Sequence, residues 1–464
     1  MSPFAPALPL PYPPAHAGEQ SYSRQRDAFR DGRDTPRDYL ERKLHQLARL
    51  EPDLRAFIHL DLDAARAAAD RSSMRYRQGR ALSSLDGMPI GVKDIILTRE
   101  MPTQMGSPLY NGHRPRRDAA CVVALRNAGA VIVGKTVTTE FAAGRAGPTC
   151  NPFDPTRTPG GSSSGSAAAV GAGILPAALG TQTLGSIVRP ASFCGAFGWK
   201  PSHGAFSLDG VQPLSWTLDH LGVIAQDIED AWALATILPP GGALSERLLP
   251  SEGTPVPTPV RPRRLVALRT PGWAETDTAS QSCFESAMER LRAEGVAILD
   301  QADERVAAMD RRLVEAADVA RRIFAWESQW PLASYRDCGV DQVGSRLLEL
   351  LDTASQMTAR EYAALLAWRN GFRRELDVLG ADSDGFVALA SSGPAPVGLE
   401  QTGSRRCQVA WTLAGAPSCS IPVLRSQGLP LGLQVMAGPA GGDTALIAAA
   451  GWLNEHLRPE RLAD

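Results

Sequence analysis

Short apolar runs alternate with stretches of helical periodicity along this chain, and that alternation constrains its fold more than any other feature. Ala56-Phe57-Ile58-His59-Leu60, Pro89 to Thr98, Ala130 to Val133 and Ala178 to Thr181 read as strands. Between them lie helical stretches: Thr35-Pro36 to about Leu50, Asp61 to about Gln78, Ala119 to Ala128 and Ala167 to Ala172. Thr35 followed by Pro36 is an N-cap with proline at the first helical position. The alternation resumes at Leu265-Val266-Ala267-Leu268. Long amphipathic helices are expected over Arg305 to Trp330 and Ala359 to Leu379, and late strands over Ala416 to Val423 and Leu431 to Val435. This pattern predicts a three-layer α/β/α fold, with a central mixed, mostly parallel sheet covered by helices on both faces.

The 464 residues are 44% hydrophobic, ample for a large core. Met1 to Gly18 holds six prolines and no basic leader, so residues 1–34 read as a flexible tail and 35–464 as a single unit. Within that unit, 238–264 is a proline-rich connection, 303–400 a helical region on the substrate side, and 410–440 rejoins the sheet. A net charge of -2 without a basic stripe argues against nucleic acid and anionic membranes as partners. Seven scattered cysteines without a CxxC pair read as reduced thiols in a cytoplasmic protein, with no zinc site. Lysine occurs only at positions 43, 93, 135 and 200, against 48 basic residues in all. A desolvated lysine can lose its proton near neutral pH and an arginine cannot, so each lysine gains weight.

Chemistry concentrates in two glycine-rich serine turns. The first is Gly160-Gly161-Ser162-Ser163-Ser164-Gly165-Ser166; the second is Thr183-Leu184-Gly185-Ser186; upstream, Pro89-Ile90-Gly91-Val92-Lys93 carries a lysine in an apolar run. Together they offer a hydroxyl nucleophile, a second hydroxyl to relay its proton, and an amine to receive it. Glycine turns also let backbone N–H groups approach a reacting oxygen. Two other patterns compete. Gly129 to Thr136 fits a phosphate-binding P-loop of an NTPase, but its interior, Ala130-Val131-Ile132-Val133, is itself strand-like. Gly161-Ser162-Ser163-Ser164-Gly165 fits a hydrolase elbow with Ser163 as nucleophile, yet a proline-laced loop precedes it where a strand is needed.

The chain resembles the amidase signature family. The resemblance rests on Gly87 to Asp94, Val133 to Thr136, Gly160 to Val170, Gly180 to Pro190, Phe193 to Gly195, Gly198 to Pro201, Leu218 to Gly222 and Gly428 to Gln434, its signature core spanning about 87–222. It implies Ser186 as acyl-accepting nucleophile, Ser162 as bridging serine after a cis peptide bond, and Lys93 as base. The oxyanion hole would be the backbone N–H groups of Thr183, Leu184, Gly185 and Ser186, with Gly160, Gly161, Ser163 and Gly165 supporting the turn. The implied activity is hydrolysis of a carboxamide, carbamate or urea derivative with water, without metal or cofactor; a homodimer is compatible. An amidotransferase subunit with companion subunits is the alternative within the family, and a catalytically silent binding protein an alternative outside it. The chain departs from the family's commonest turn at three points: Gln182 replaces Asp, Leu184 replaces Gly, and the arginine falls at Arg189, with Val188 in its usual place.

Overall fold

The computed structural model of the chain describes residues 21–242 and 252–458. Eleven strands form one sheet: β1 (Phe57–Leu60), β2 (Pro89–Lys93), β3 (Val131–Thr136), β4 (Ala177–Gln182), β5 (Phe197–Lys200), β6 (His220–Ala225), β7 (Arg264–Ala267), β8 (Ala297–Leu299), β9 (Phe386–Leu389), β10 (Ser418–Ser426) and β11 (Leu429–Met436). Their spatial order is β1-β3-β2-β4-β6-β5-β10-β11-β9-β7-β8. Side chains alternate across a strand, and two apolar cores form accordingly. Val131, Val133, Ala178 and Ile224 pack on one face with the helices Pro36–Leu54, Leu62–Arg77 and Ser164–Gly171. Ile132, Ala177, Leu179 and Val223 pack on the other with Ala120–Asn127, Ile228–Ala235 and Thr278–Ala293. The expected α/β/α layering follows.

The sheet is mixed, as expected, but not mostly parallel. Among the described residues four neighbouring pairs run parallel, in the trios β3-β2-β4 and β9-β7-β8. The other six pairs are antiparallel. The reason lies in the connections. β10 and β11 are joined by Gln427 and Gly428, both at positive φ (53° and 76°), a two-residue turn that can only return antiparallel. β5 and β6 are linked by a stretch containing no crossover helix.

Two further boundaries differ from expectation. Within the stretch expected to be a tail, Tyr22–Arg30 is a helix; residues 1–20 lie outside the described residues, as do 243–251 of the proline-rich connection. Tyr22 and Phe29 bury their rings against Tyr39, at centroid distances of 5.7 and 6.0 Å, and Asp230 accepts from the Tyr22 and Ser23 amides. The long helix runs Glu304–Cys338, through Pro331 rather than ending before it. Proline removes one backbone donor there, but the last turns are held by packing: Leu332 is buried and Tyr335 stacks on Phe141 at 4.1 Å. No helix among the described residues is long and apolar enough to cross a membrane.

Candidate active site

Lys93 ends β2 and Gln182 ends β4, two parallel neighbours, so both face the carboxyl edge of the β3-β2-β4 trio. Open α/β sheets bind their ligands at that edge. Lys93 is fully enclosed, and its Nζ donates to Ser162 Oγ at 2.8 Å and to Thr181 Oγ1 at 2.7 Å. Burial holds its pKa well below the ordinary lysine value, partly offset by the negative charge of Asp219. Asp94, one residue on, points away as strand alternation requires and pairs with Lys135 at 3.1 Å.

The peptide bond between Gly161 and Ser162 is cis. Its surroundings leave little room: a side chain at Gly161 would come within 2.8 Å of Thr402 Cγ2, and one at Gly160, which has φ 82°, within 2.9 Å of Pro190 Cα. Gly165 lets the helix Ser164–Gly171 dock on β3's exit, since a Cβ there would lie 2.1 Å from Ala56 O. That helix starts at Ser164, slightly earlier than its sequence suggests. Ser163 is fully buried; its Oγ donates to Thr181 O at 3.3 Å and accepts from Thr181 N at 3.2 Å. A nucleophile needs access, so the elbow reading through Ser163 fails. The P-loop reading fails as well, because Val131–Thr136 is β3, and Lys135 Nζ is taken by Asp94, Ile96 O and Thr103 Oγ1.

The second turn is built around Gln182. Its Oε1 accepts from the amides of Ile187 (2.8 Å) and Val188 (3.1 Å), and its Nε2 donates to Thr412 Oγ1 at 2.9 Å. Thr412 Oγ1 in turn donates to Leu184 O at 3.1 Å. Thr183 Oγ1 donates to Asp219 Oδ1 at 2.6 Å, while Asp219 Oδ2 accepts from Leu214 N and Ser215 N. These ties use side chains, a carbonyl and the amides that follow the turn. Among the described residues, the N–H groups of Thr183, Leu184, Gly185 and Ser186 donate to no acceptor. Leu184 and Gly185 are buried and Thr183 and Ser186 half-buried, and four unpaired amides in succession suit an anionic oxygen. Leu184 is buried and does not sit at positive φ, so this turn conformation does not demand glycine there. Ser186 is half-buried, and its hydroxyl has no protein partner among the described residues.

Arg189, displaced by one position from the family pattern, is buried. Its guanidinium donates to Gly161 O, to Gly403 O at 2.9 Å and to Thr402 Oγ1 at 3.2 Å. Sequence reasoning missed four contributors here: Thr181 and Asp219, both inside the matched stretches, and Thr412 and Gln408, far along the chain. Alternation does not mark Thr181, because the register sets Val92 beside Leu179 and so Lys93 level with Gly180; the contact forms where the two strands end side by side.

A buried amine bonded to a serine lies near a run of backbone donors without acceptors, an arrangement whose chemistry suits attack on an acyl carbon. The profile of the Amidase family matches residues 38–447, and this chain belongs to that family. It is 33% identical to a glutamyl-tRNA(Gln) amidotransferase subunit of Chloroflexus aurantiacus over 431 residues, covering 85% of this chain and 88% of that protein. The crystal structure of an amidase superposes with a TM-score of 0.82 at 29% identity, covering 94% of this chain and all of that one. The native peptide amidase from Stenotrophomonas maltophilia superposes with a TM-score of 0.78 at 28% identity, covering 96% and 98%. These likenesses support an enzyme of C–N bond hydrolysis or amide transfer.

Proposed function

We propose that the protein hydrolyses a C–N acyl bond, that of a carboxamide, carbamate or urea derivative, through a seryl acyl-enzyme on Ser186. The observation that carries this reading is the enclosed Lys93 amine bonded to Ser162 on the approach to a turn of unpaired amides. A neutral amine has one lone pair, so Ser162 donates its proton to Lys93 and accepts that of Ser186. Ser186 Oγ then adds to the acyl carbon, and the N–H groups of Thr183 to Ser186 take the developing oxyanion. The same proton returns through Ser162 to the leaving nitrogen, the C–N bond breaks, and water repeats the route to release the acid. Strands from both halves of the chain complete one sheet and the helix Tyr22–Arg30 packs against Tyr39, which supports a single catalytic unit that begins before residue 35. Seven free cysteines support a cytoplasmic setting.

A second reading, an amidotransferase component working with partner subunits, is favoured by the relative from Chloroflexus aurantiacus. Steady-state hydrolysis by the isolated chain separates the two. A screen of aryl amides, aliphatic amides and carbamates finds turnover by the isolated chain that Ser186→Ala abolishes. Unchanged turnover in Ser186→Ala would exclude the acyl-enzyme.

A further inference from the structure

The register of β4 and β6 brings a second carboxylate near the buried amine. The two strands run antiparallel, with Thr181 opposite Leu221 and Gln182 opposite His220. One step past their ends Thr183 faces Asp219, and a bond from Thr183 Oγ1 to Asp219 Oδ1 at 2.6 Å joins them. Residues two apart along a strand share a face, so Thr181 and Thr183 leave β4 on the same side. Thr181 Oγ1 accepts from Lys93 Nζ at 2.7 Å. Diagonal neighbours across such a pair lie about 7–8 Å apart, which sets the spacing of Asp219 from Thr181.

Asp219 is buried, and its partners are all neutral: Thr183 Oγ1, Leu214 N at 2.8 Å and Ser215 N at 2.9 Å. No cation among them cancels its field, which is strong where water is excluded. The other charges nearby are engaged elsewhere. Asp94 and Lys135 pair with each other at 3.1 Å. Glu327, on the helix Glu304–Cys338, is buried and accepts from Ser215 Oγ, from Thr217 N at 3.0 Å and from Tyr362 Oη at 2.5 Å. Burial, and with it the charge of Glu327, lifts the Asp219 carboxyl to about 6, so it is ionised at neutral pH. Among the described residues Asp219 is the one charge acting on Lys93, and it opposes the lowering by burial. A base must be neutral at rest, yet once it has taken a proton it is an ammonium enclosed away from water. A carboxylate bonded to it directly would hold it charged from the start, whereas one set a threonine away does not.

Building on the amidase reading, we infer that Asp219 is a positioning residue for the reaction: its carboxylate steadies the Lys93 ammonium formed on acyl addition and, through Thr183 Oγ1, fixes the first residue of the donor turn. The proton passes from Ser186 Oγ to Ser162 and from Ser162 to Lys93 Nζ, and returns by that path to the leaving nitrogen. Asp219 neither gains nor loses one.

Phosphonylation of Ser186 by a fluorophosphonate, followed against pH in the wild type, Asp219→Asn and Gln182→Ala, tests this. An asparagine oxygen can accept from Leu214 N and Ser215 N while its N–H donates to Thr183 Oγ1, so Asp219→Asn removes the charge and keeps the contacts. In that variant the midpoint of the rise moves to lower pH, because the amine loses the charge that raised its pKa. Its alkaline plateau falls about tenfold, because the ammonium loses its counter-charge. Gln182→Ala loosens the same turn without touching a charge, so it lowers the plateau and leaves the midpoint in place. An Asp219→Asn midpoint equal to that of the wild type, a plateau that does not fall, or failure of this isosteric variant to fold overturns the inference. Absence of labelling at Ser186 in the wild type is a separate result, and it overturns the amidase reading instead.

Discussion

Lys93 and Thr181 meet across the parallel pair β2 and β4, Nζ to Oγ1 at 2.7 Å, and this contact leaves the lysine one further partner, Ser162. The amine is thus aimed by a neutral hydroxyl rather than by a carboxylate, which would have kept it charged. Desolvation supplies the pKa shift and Thr181 the direction.

Activity is therefore expected to rise with pH through the folded-state pKa of Lys93, because only the neutral amine accepts a proton. That pKa is depressed, so the rise falls below the pH at which an exposed lysine titrates. Lys93→Ala lowers kcat by about 10²–10⁴, the usual contribution of a positioned base. A profile of kcat against pH on both proteins checks this. A wild-type profile equally high at acid and alkaline pH would sink the assignment of Lys93.

Gln182 is expected to matter for shape rather than chemistry. In Gln182→Ala the amides of Ile187 and Val188 lose their acceptor and Thr412 loses a donor. Each buried group left unsatisfied costs about 1–3 kcal/mol, so the loss is measurable by urea unfolding. With the turn released, kcat falls further than KM changes. A variant of unchanged stability and kcat would mean that the turn holds without this side chain.

All four lysines of the chain are buried, at 5% exposure for Lys43 and 0% for Lys93, Lys135 and Lys200. Burial lowers Lys43 to about 7, Lys135 to about 8 and Lys200 to about 7. An amine-acylating reagent under native conditions is expected to modify none of these side chains, and to reach all four after denaturation. Peptide mapping by mass spectrometry decides it. Native acylation at any lysine would place that residue at the surface.

The sequence makes much of this legible, and its blind spots have physical causes. Strand and helix order follow from local periodicity, and Lys93 with its two serine turns from residue type and neighbours. Strand direction does so only in part: the β10-β11 return is local to Gln427 and Gly428, whereas β5 and β6 turn back through a long irregular connection with no such signal. The helix through Pro331 survives on the stacking of Tyr335 over Phe141, a partner invisible to local propensity. The remaining supports of the site reach it from afar: Thr412 to Leu184, Arg189 to Gly403, and Gln408 against Gly185. Such pairs join residues more than 200 positions apart on helices and loops, which local sequence does not reveal. Gln182 is the instructive case: the sequence shows only that it departs from the family's commonest residue, and the structure shows its amide joining the Ile187 and Val188 amides to Thr412.

The rate of phosphonylation of Ser186 by a fluorophosphonate, followed by intact mass in the wild type and in Lys93→Ala, tests the proton path most directly. The expected result is a single adduct mapped to Ser186, forming faster as pH rises, and slowed at least about a hundredfold in the variant. An adduct on another residue, or equal rates in the two proteins, would contradict the account.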